Sequence, residues 1–158
     1  MSYEWLERTS LLLGDEKLKK LQNSNVLVVG LGGVGAYAAE MIARSGVGRM
    51  TIADADTVSP TNINRQLIAL HSTIGKPKVE VMAARVLDIN PNCVVRTHQV
   101  FYNPETAQQF DFSEYDYIAD AIDTVSAKID LAVRSQELSI PMISCMGTGN
   151  KLDPTQFT

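Results

Sequence analysis

The sequence predicts an α/β fold: a doubly wound, mainly parallel sheet with helices on both faces. Short β-branched apolar runs alternate along the chain with longer segments of helical periodicity, the order expected of strands joined by crossover helices. The first of these runs, Val26 to Val29, opens directly into Gly30, Gly32, Gly33 and Gly35, the form of a buried strand that turns around an anion into a helix. With 158 residues, 45% of them hydrophobic and 20% charged, the chain has the apolar content of one globular domain with a core rather than of a disordered segment.

Each element follows from local signals. Residues 1–24 form an N-terminal helical segment, with Leu11, Leu12, Leu13, Leu18 and Leu21 broken by Gly14, and residues 25–158 form the nucleotide-binding domain. A strand over 25–30 leads to a helix from about Val34 to Ser45 that is expected to bury Ala38, Met41 and Ile42 and to end at a left-handed Gly46. After a strand over 50–54, Ser59-Pro60 reads as an N-cap with proline at the first helical position, starting a short helix through Leu70. Pro77 opens a helix over about 77–90 with Val79, Met82, Ala83, Val86 and Leu87 as its buried stripe, and the helix stops before Pro91. Strands over 93–98, 116–121 and 140–145 alternate with helices over 104–110 and 125–138. "GTGNKLDPTQFT" leaves the last strand without a closing element, so the chain is expected to be the N-terminal part of a longer protein.

Charge and cysteine usage narrow the function classes. A net charge of -4 and an isoelectric point near 5.1 argue against a dedicated electrostatic nucleic-acid binder, although a local basic patch is compatible with an acidic whole. The acidic N-terminus and the short run Leu11 to Leu13 fit neither a signal segment nor a membrane span, and a cytoplasmic protein with no membrane partner is expected. Cys93 and Cys145 are far apart and neither belongs to a C-x-x-C pair, so no zinc site or disulfide framework is read; Cys145 stands where the last strand ends, the region where α/β sites gather.

The glycine pattern alone leaves the nucleotide open. Gly30 permits the tight turn, Gly32 lets the backbone approach a pyrophosphate, and Gly35 lets the helix pack on the strand. Asp54, at the end of the second strand, is the acid expected about 20 residues beyond, on a ribose hydroxyl. NAD and ATP are equally served so far. "SPTNINRQ" places Asn62, Arg65 and Gln66 on one face. Lys78 stands in the first turn of its helix, where the macrodipole disfavours a cation by several tenths of a kcal/mol unless an anion is bound. Two cations beyond a pyrophosphate turn exceed what hydride transfer needs and suit a triphosphate that loses pyrophosphate, and both are expected at exposed positions. Asp123 reads equally as a Mg²⁺ carboxylate or as the N-cap of the next helix.

Taken together, "GLGGVG" at 30–35, "ADADTV" at 53–58, "NINRQ" at 62–66, "GKPK" at 75–78 and "DAID" at 120–123 resemble the ubiquitin-activating-like superfamily of adenylating enzymes, the ThiF/MoeB/HesA type. "ERTSLLLG" and "GTGNKLDPTQ" are similar, within it, to the tRNA threonylcarbamoyladenosine dehydratases. The resemblance implies a Rossmann-like fold that binds ATP and Mg²⁺. In it, Gly30, Gly32, Gly33 and Gly35 would lie against the phosphates and Asp54 would hold the ribose, with Asn62 supporting the phosphate site. Arg65 and Lys78 would neutralise the β and γ phosphates, and Asp123 would bind the metal. It also implies a homodimer in which Arg8 reaches the partner subunit's ATP. The reaction implied is adenylation of the threonyl carboxylate of N6-threonylcarbamoyladenosine in tRNA, then cyclising dehydration. The nearest alternative is adenylation of the C-terminal glycine of a ubiquitin-like sulfur carrier, with a sulfur-carrier or cysteine-desulfurase-type partner. An NAD-dependent oxidoreductase leaves Arg65, Lys78 and Asp123 unexplained, and the full polar set speaks against a scaffold without catalysis.

Overall fold

A computed structural model describes residues 4–147 and Asp153. Five parallel strands, β1 (Asn25–Val29), β2 (Arg49–Ala53), β3 (Val94–His98), β4 (Tyr117–Asp120) and β5 (Met142–Ser144), form one sheet in the order β3-β2-β1-β4-β5. β1 pairs with β2 through Val28↔Ile52 and with β4 through Val28↔Ala119. The chain runs outward from β1 to β3, returns, and continues on the other side of β1, so the order reverses between β1 and β4. Ligands in such sheets bind in the crevice at that reversal, beyond the carboxyl ends of the strands.

The sheet is buried on both faces, which is why β1 reads as a continuous apolar run. Val26, Val28, Met50 and Ile52 face α3 (Gly35–Arg44) and α4 (Lys78–Ile89), whereas Leu27, Val29 and Ile118 face α5 (Val125–Glu137) and the aromatic group Tyr102, Phe110, Phe112 and Tyr115. At the N-terminus, α1 (Glu7–Leu13) and α2 (Asp15–Asn23) flank Gly14, as the sequence predicts. Leu6 inserts against Gly46, which has φ +89° and closes α3 in the left-handed conformation expected of it.

Several local expectations are corrected. α3 meets the sheet through the small residues Ala36, Ala39 and Ala43, so Met41 lies on the opposite side and is exposed, and Ala38 and Ile42 are only half-buried. α4 buries Val79, Met82 and Val86, which turns Leu87 outward and leaves Ala83 half-buried. The helix expected from Ser59 to Leu70 is a single 3-10 turn, Pro60–Asn62, with the capping box and proline in place. Beyond it Ile68 and Ala69 are drawn into the core, and Thr73 Oγ1 donates to the Ile68 carbonyl at 2.7 Å, so side-chain bonds replace the helical ladder. The helix expected over 104–110 is likewise one 3-10 turn, Thr106–Gln109, held by the Asn103 side chain, whose Oδ1 accepts from the amides of Glu105 and Thr106. The segment from Thr148 onward, which carries most of "GTGNKLDPTQ", lies outside the described residues except for Asp153.

Candidate functional site

A cleft of about 680 Å³ opens at the carboxyl edge of the sheet, across the β1/β4 reversal. Its walls follow the strand order. Val100, Phe101 and Tyr102 come from the end of β3, and Asp54 and Asp56 from β2. Gly30, Gly32 and Gly33 come from β1, Asp123 and Thr124 from β4, and Cys145 and Met146 from β5. Asn62, Arg65, Gln66 and Lys78 enter from the connection between β2 and α4. Eight of the ten residues singled out from the sequence therefore converge here: Gly30, Gly32, Gly33, Asp54, Asn62, Arg65, Lys78 and Asp123. Gly35 and Arg8 are not on the lining.

The glycines divide the work of the turn. Gly30 has φ +91°, and a Cβ there would stand 2.6 Å from the Ala121 carbonyl oxygen. At Gly35 a Cβ would lie 1.8 Å from the Gly30 oxygen, so this position lets α3 begin against the strand it follows. Nothing lies within 4 Å of a Cβ placed on Gly32, whose backbone is open to the cleft. α3 follows Val34, an N-cap that makes no side-chain bond, and of its first amides that of Ala36 donates to the Gly32 carbonyl at 3.4 Å.

Around this turn runs a chain of carboxylates and amides. Asp54 Oδ2 accepts from the Leu31 amide at 2.6 Å and Oδ1 from the Asp56 amide at 2.8 Å, so the acid expected on a ribose also ties the glycine turn to the end of β2. Asp56 in turn accepts from Lys78 Nζ at 2.8 Å through its side chain and from the Lys78 amide at 3.0 Å through its carbonyl. Thr57 bridges Pro77 beside them. This docking draws Lys78 down to 4% exposure, against the exposed position expected of it. The lysine's ammonium has three donors and Asp56 is the one acceptor bonded to it among the described residues, which leaves donor capacity toward the cleft.

The remaining polar groups are less engaged. Arg65 is exposed, donates from Nη1 to the Thr61 carbonyl at 3.0 Å and to Asn64 at 3.1 Å, and has no carboxylate partner among the described residues. Asn62 Oδ1 accepts from the Ser59 amide at 2.9 Å, which holds the turn carrying Arg65. Gln66 is 7% exposed and its Oε1 is buried without a partner among the described residues, a cost of roughly 1–3 kcal/mol that a ligand or its hydration would relieve. Its place in "NINRQ" is the signal that marks it, although the sequence assigns it no role of its own. Asp123 is exposed at the strand edge with no hydrogen-bond or ion-pair partner among the described residues. It does not cap α5, whose N-cap is Thr124 without a side-chain bond, so the capping reading of Asp123 is removed.

Two further features have no clear sequence signal. Tyr102 is buried and donates to Asp130 at 2.7 Å, and burial together with that carboxylate holds its phenol well above the usual range. Below the β4 and β5 ends, Lys128 and Asp120 form a buried ion pair at 2.9 Å. No group of three or more His, Cys, Asp or Glu able to cage a metal occurs among the described residues. Magnesium is commonly held by one or two carboxylates together with phosphate oxygens, and Asp123 fits that mode. No helix among the described residues is long and apolar enough to cross a membrane.

The chain is 52% identical over 150 residues to a tRNA threonylcarbamoyladenosine dehydratase of Bacillus subtilis (strain 168), covering 95% of this chain and 59% of that protein. The solved E. coli tRNA N6-threonylcarbamoyladenosine dehydratase in complex with ATP superposes with a TM-score of 0.91 at 40% identity, over 98% of this chain and 65% of that one. Its complex with AMP gives 0.90 at 40% identity, over 98% and 64%. The chain thus spans about three fifths of the length of the curated relative. The ThiF family matches residues 6–158, and the chain belongs to it.

Proposed function

We propose that this protein uses ATP to adenylate a carboxylate, and that the carboxylate is the threonyl group of N6-threonylcarbamoyladenosine in tRNA. The observation that carries the reading is the convergence on one cleft of Arg65, the donors of Lys78, the open Gly32 backbone and Asp123, which has no hydrogen-bond or ion-pair partner among the described residues. The solved E. coli relatives that hold ATP and AMP support it, since ATP is the adenylyl donor and AMP is the group expelled when the acyl-adenylate reacts.

The chemistry is set by a charge problem. A carboxylate approaching the α-phosphate of a polyanion is repelled unless the site neutralises the phosphates first. Arg65 and Lys78 supply two cations, but the cleft is also lined by Asp54, Asp56 and Asp123, so its own balance of these groups is negative. Asp123 would hold Mg²⁺, which supplies charge neutralisation on the phosphate oxygens when bound. Arg8 is exposed on α1 and outside its own chain's cleft, consistent with a homodimer in which it would act on the partner's nucleotide. Asp54 would accept the ribose hydroxyls with the lone pairs its backbone contacts leave free.

With the phosphates held, a carboxylate oxygen bonds to the α-phosphorus and the bond to the β-phosphate oxygen breaks, giving an acyl-adenylate and pyrophosphate. A nitrogen of the same modification then attacks the acyl carbon, the carbon–oxygen bond to AMP breaks, and the nitrogen loses its proton as the ring closes. The oxygen lost from the nucleoside leaves on AMP, so the net change is dehydration driven by ATP. The test is to incubate the protein with Mg-ATP and tRNA bearing threonylcarbamoyladenosine and to weigh the digested nucleosides. An ATP-dependent loss of one water is expected; an unchanged nucleoside would overturn the substrate and move the proposal to a protein carboxylate, with sulfur carriers tested next. The setting is proposed to be the cytoplasm, where tRNA is modified.

A further inference from the structure

The ends of β4 and β5 cover a polar network that the adenylation chemistry does not use. Lys128, on the first turns of α5, sends its ammonium back to the sheet, where it donates to Asp120 Oδ2 at 2.9 Å, to the Cys145 carbonyl at 2.7 Å and to Ser144 Oγ at 3.4 Å. Ser144 Oγ donates to the same Asp120 oxygen at 2.6 Å, and Asp120 Oδ1 accepts from the Ile122 amide at 3.0 Å. The side chains of Lys128 and Asp120 are 8% and 0% exposed. All three ammonium donors and both carboxylate oxygens are engaged, so the network is closed.

We infer that Lys128 is a positioning residue for the metal-carrying side of the cleft, acting through Asp120 on the turn that presents Asp123 and through Cys145 on the end of the neighbouring strand β5. The inference rests on the reading of Asp123 as the Mg²⁺ carboxylate. Asp123 has no hydrogen-bond or ion-pair partner among the described residues, and α5 begins beside it without a side-chain cap. The turn 120–123 is held instead by the Ala121 amide on the Val29 carbonyl, at 2.9 Å, and by the Ile122 amide on Asp120. One ammonium therefore links the two strand ends that flank this half of the cleft. An apolar pair of similar volume would serve stability as well or better, which makes the buried charges intelligible as a device that selects one arrangement of those ends.

The test is calorimetric titration of the full chain with ATP, at saturating Mg²⁺ and with a chelator, and with AMP as a ligand that has no β or γ phosphate. Asp120→Asn/Lys128→Met removes both charges together, so no buried ion is left unpaired. It is expected to keep AMP affinity while losing about tenfold of the gain in ATP affinity that Mg²⁺ confers, the scale on which outer partners of metal ligands act. Lys128→Arg should restore most of that gain. Ser144→Ala deletes one contact and leaves the pair intact, so it should fold and shift the gain in the same direction by less. A full Mg²⁺-dependent gain in both the double variant and Ser144→Ala would overturn the inference, as would a parallel loss of AMP binding, which marks general loosening. Asp123→Asn separates the two readings: if that variant keeps the full gain, the metal role of Asp123 itself fails, and the role of Lys128 with it.

Discussion

Gly35→Ala and Gly32→Ala should have opposite signatures, although both glycines belong to one motif. A Cβ at Gly35 would stand 1.8 Å from the Gly30 carbonyl oxygen and 3.0 Å from the Ala121 side chain. An ordinary carbon–oxygen contact is about 3.3 Å, so the start of α3 must retreat by roughly 1.5 Å from the strand end it follows. Overpacking of a tight core costs about 1–3 kcal/mol, and a clash with backbone that cannot rotate away belongs at the upper end. For a domain of this size, about 3 kcal/mol corresponds to a fall in melting temperature of roughly 6–12 °C. Gly32→Ala meets nothing within 4 Å, so its melting temperature should match the wild type while its ATP affinity falls, because the methyl group stands where the phosphates approach. Thermal unfolding followed by circular dichroism, paired with ATP titration of each variant, reads both quantities. A Gly35→Ala protein that melts within about 2 °C of wild type would refute the close-approach argument.

Arg65→Ala should lower turnover by at least about a hundredfold with unchanged thermal stability, because its side chain is exposed and its contacts are local, and full activity would remove it from the phosphate clamp. Lys78→Ala should lose stability as well as turnover, since it empties a buried position and leaves Asp56 without its cation; a melting temperature equal to that of Arg65→Ala would contradict this. A thiol reagent at pH 8 should label Cys145 and spare Cys93, whose thiol burial pushes up to about 11, and ATP should slow the labelling; two equivalents incorporated at equal rates would count against it. His98 is held below its ordinary pKa by burial and, secondarily, by the charge of Arg96. The unfolded chain then binds the proton more readily than the folded one, so stability should be full above about pH 6.5 and fall as the pH drops below it toward the folded value. His98→Gln should flatten the melting-temperature profile over that window, and an unchanged slope would assign it to other groups.

How much of this was legible in the sequence depends on whether a residue's neighbours are close along the chain. The parallel sheet and the glycine turn were readable because β1 carries an unbroken apolar run, Val26 to Val29, and its turn residues adjoin it. Gly46 and the Ser59-Pro60 cap were readable for the same reason. Met41 and Leu87 were misplaced because apolar spacing defines a broad stripe, whereas the small residues of α3 determine which part of the stripe can touch the sheet. The Ser59–Leu70 helix failed because a correct start signal does not determine length once Ile68 and Ala69 are claimed by the core. At the site, Arg65 and Asp123 stood where residue type and spacing placed them. The burial of Lys78 was not readable, since it depends on Asp56 lying beside it across a connection. Lys128 was invisible, because a lysine reaching inward to Asp120 has the same spacing as one facing water.

Asp54 links more than the ribose role proposed for it requires. Its two oxygens hold the Leu31 and Asp56 amides, and Asp56 holds Lys78, so the glycine turn, the strand end and the lysine are tied together by one chain of hydrogen bonds. A designer who grafts "GLGGVG" onto another strand would transfer a shape without its anchor. The smallest transplantable phosphate cradle here is a composite of three separated segments, the β1 turn, the β2 end and the first turn of α4, and its parts are expected to vary together rather than singly.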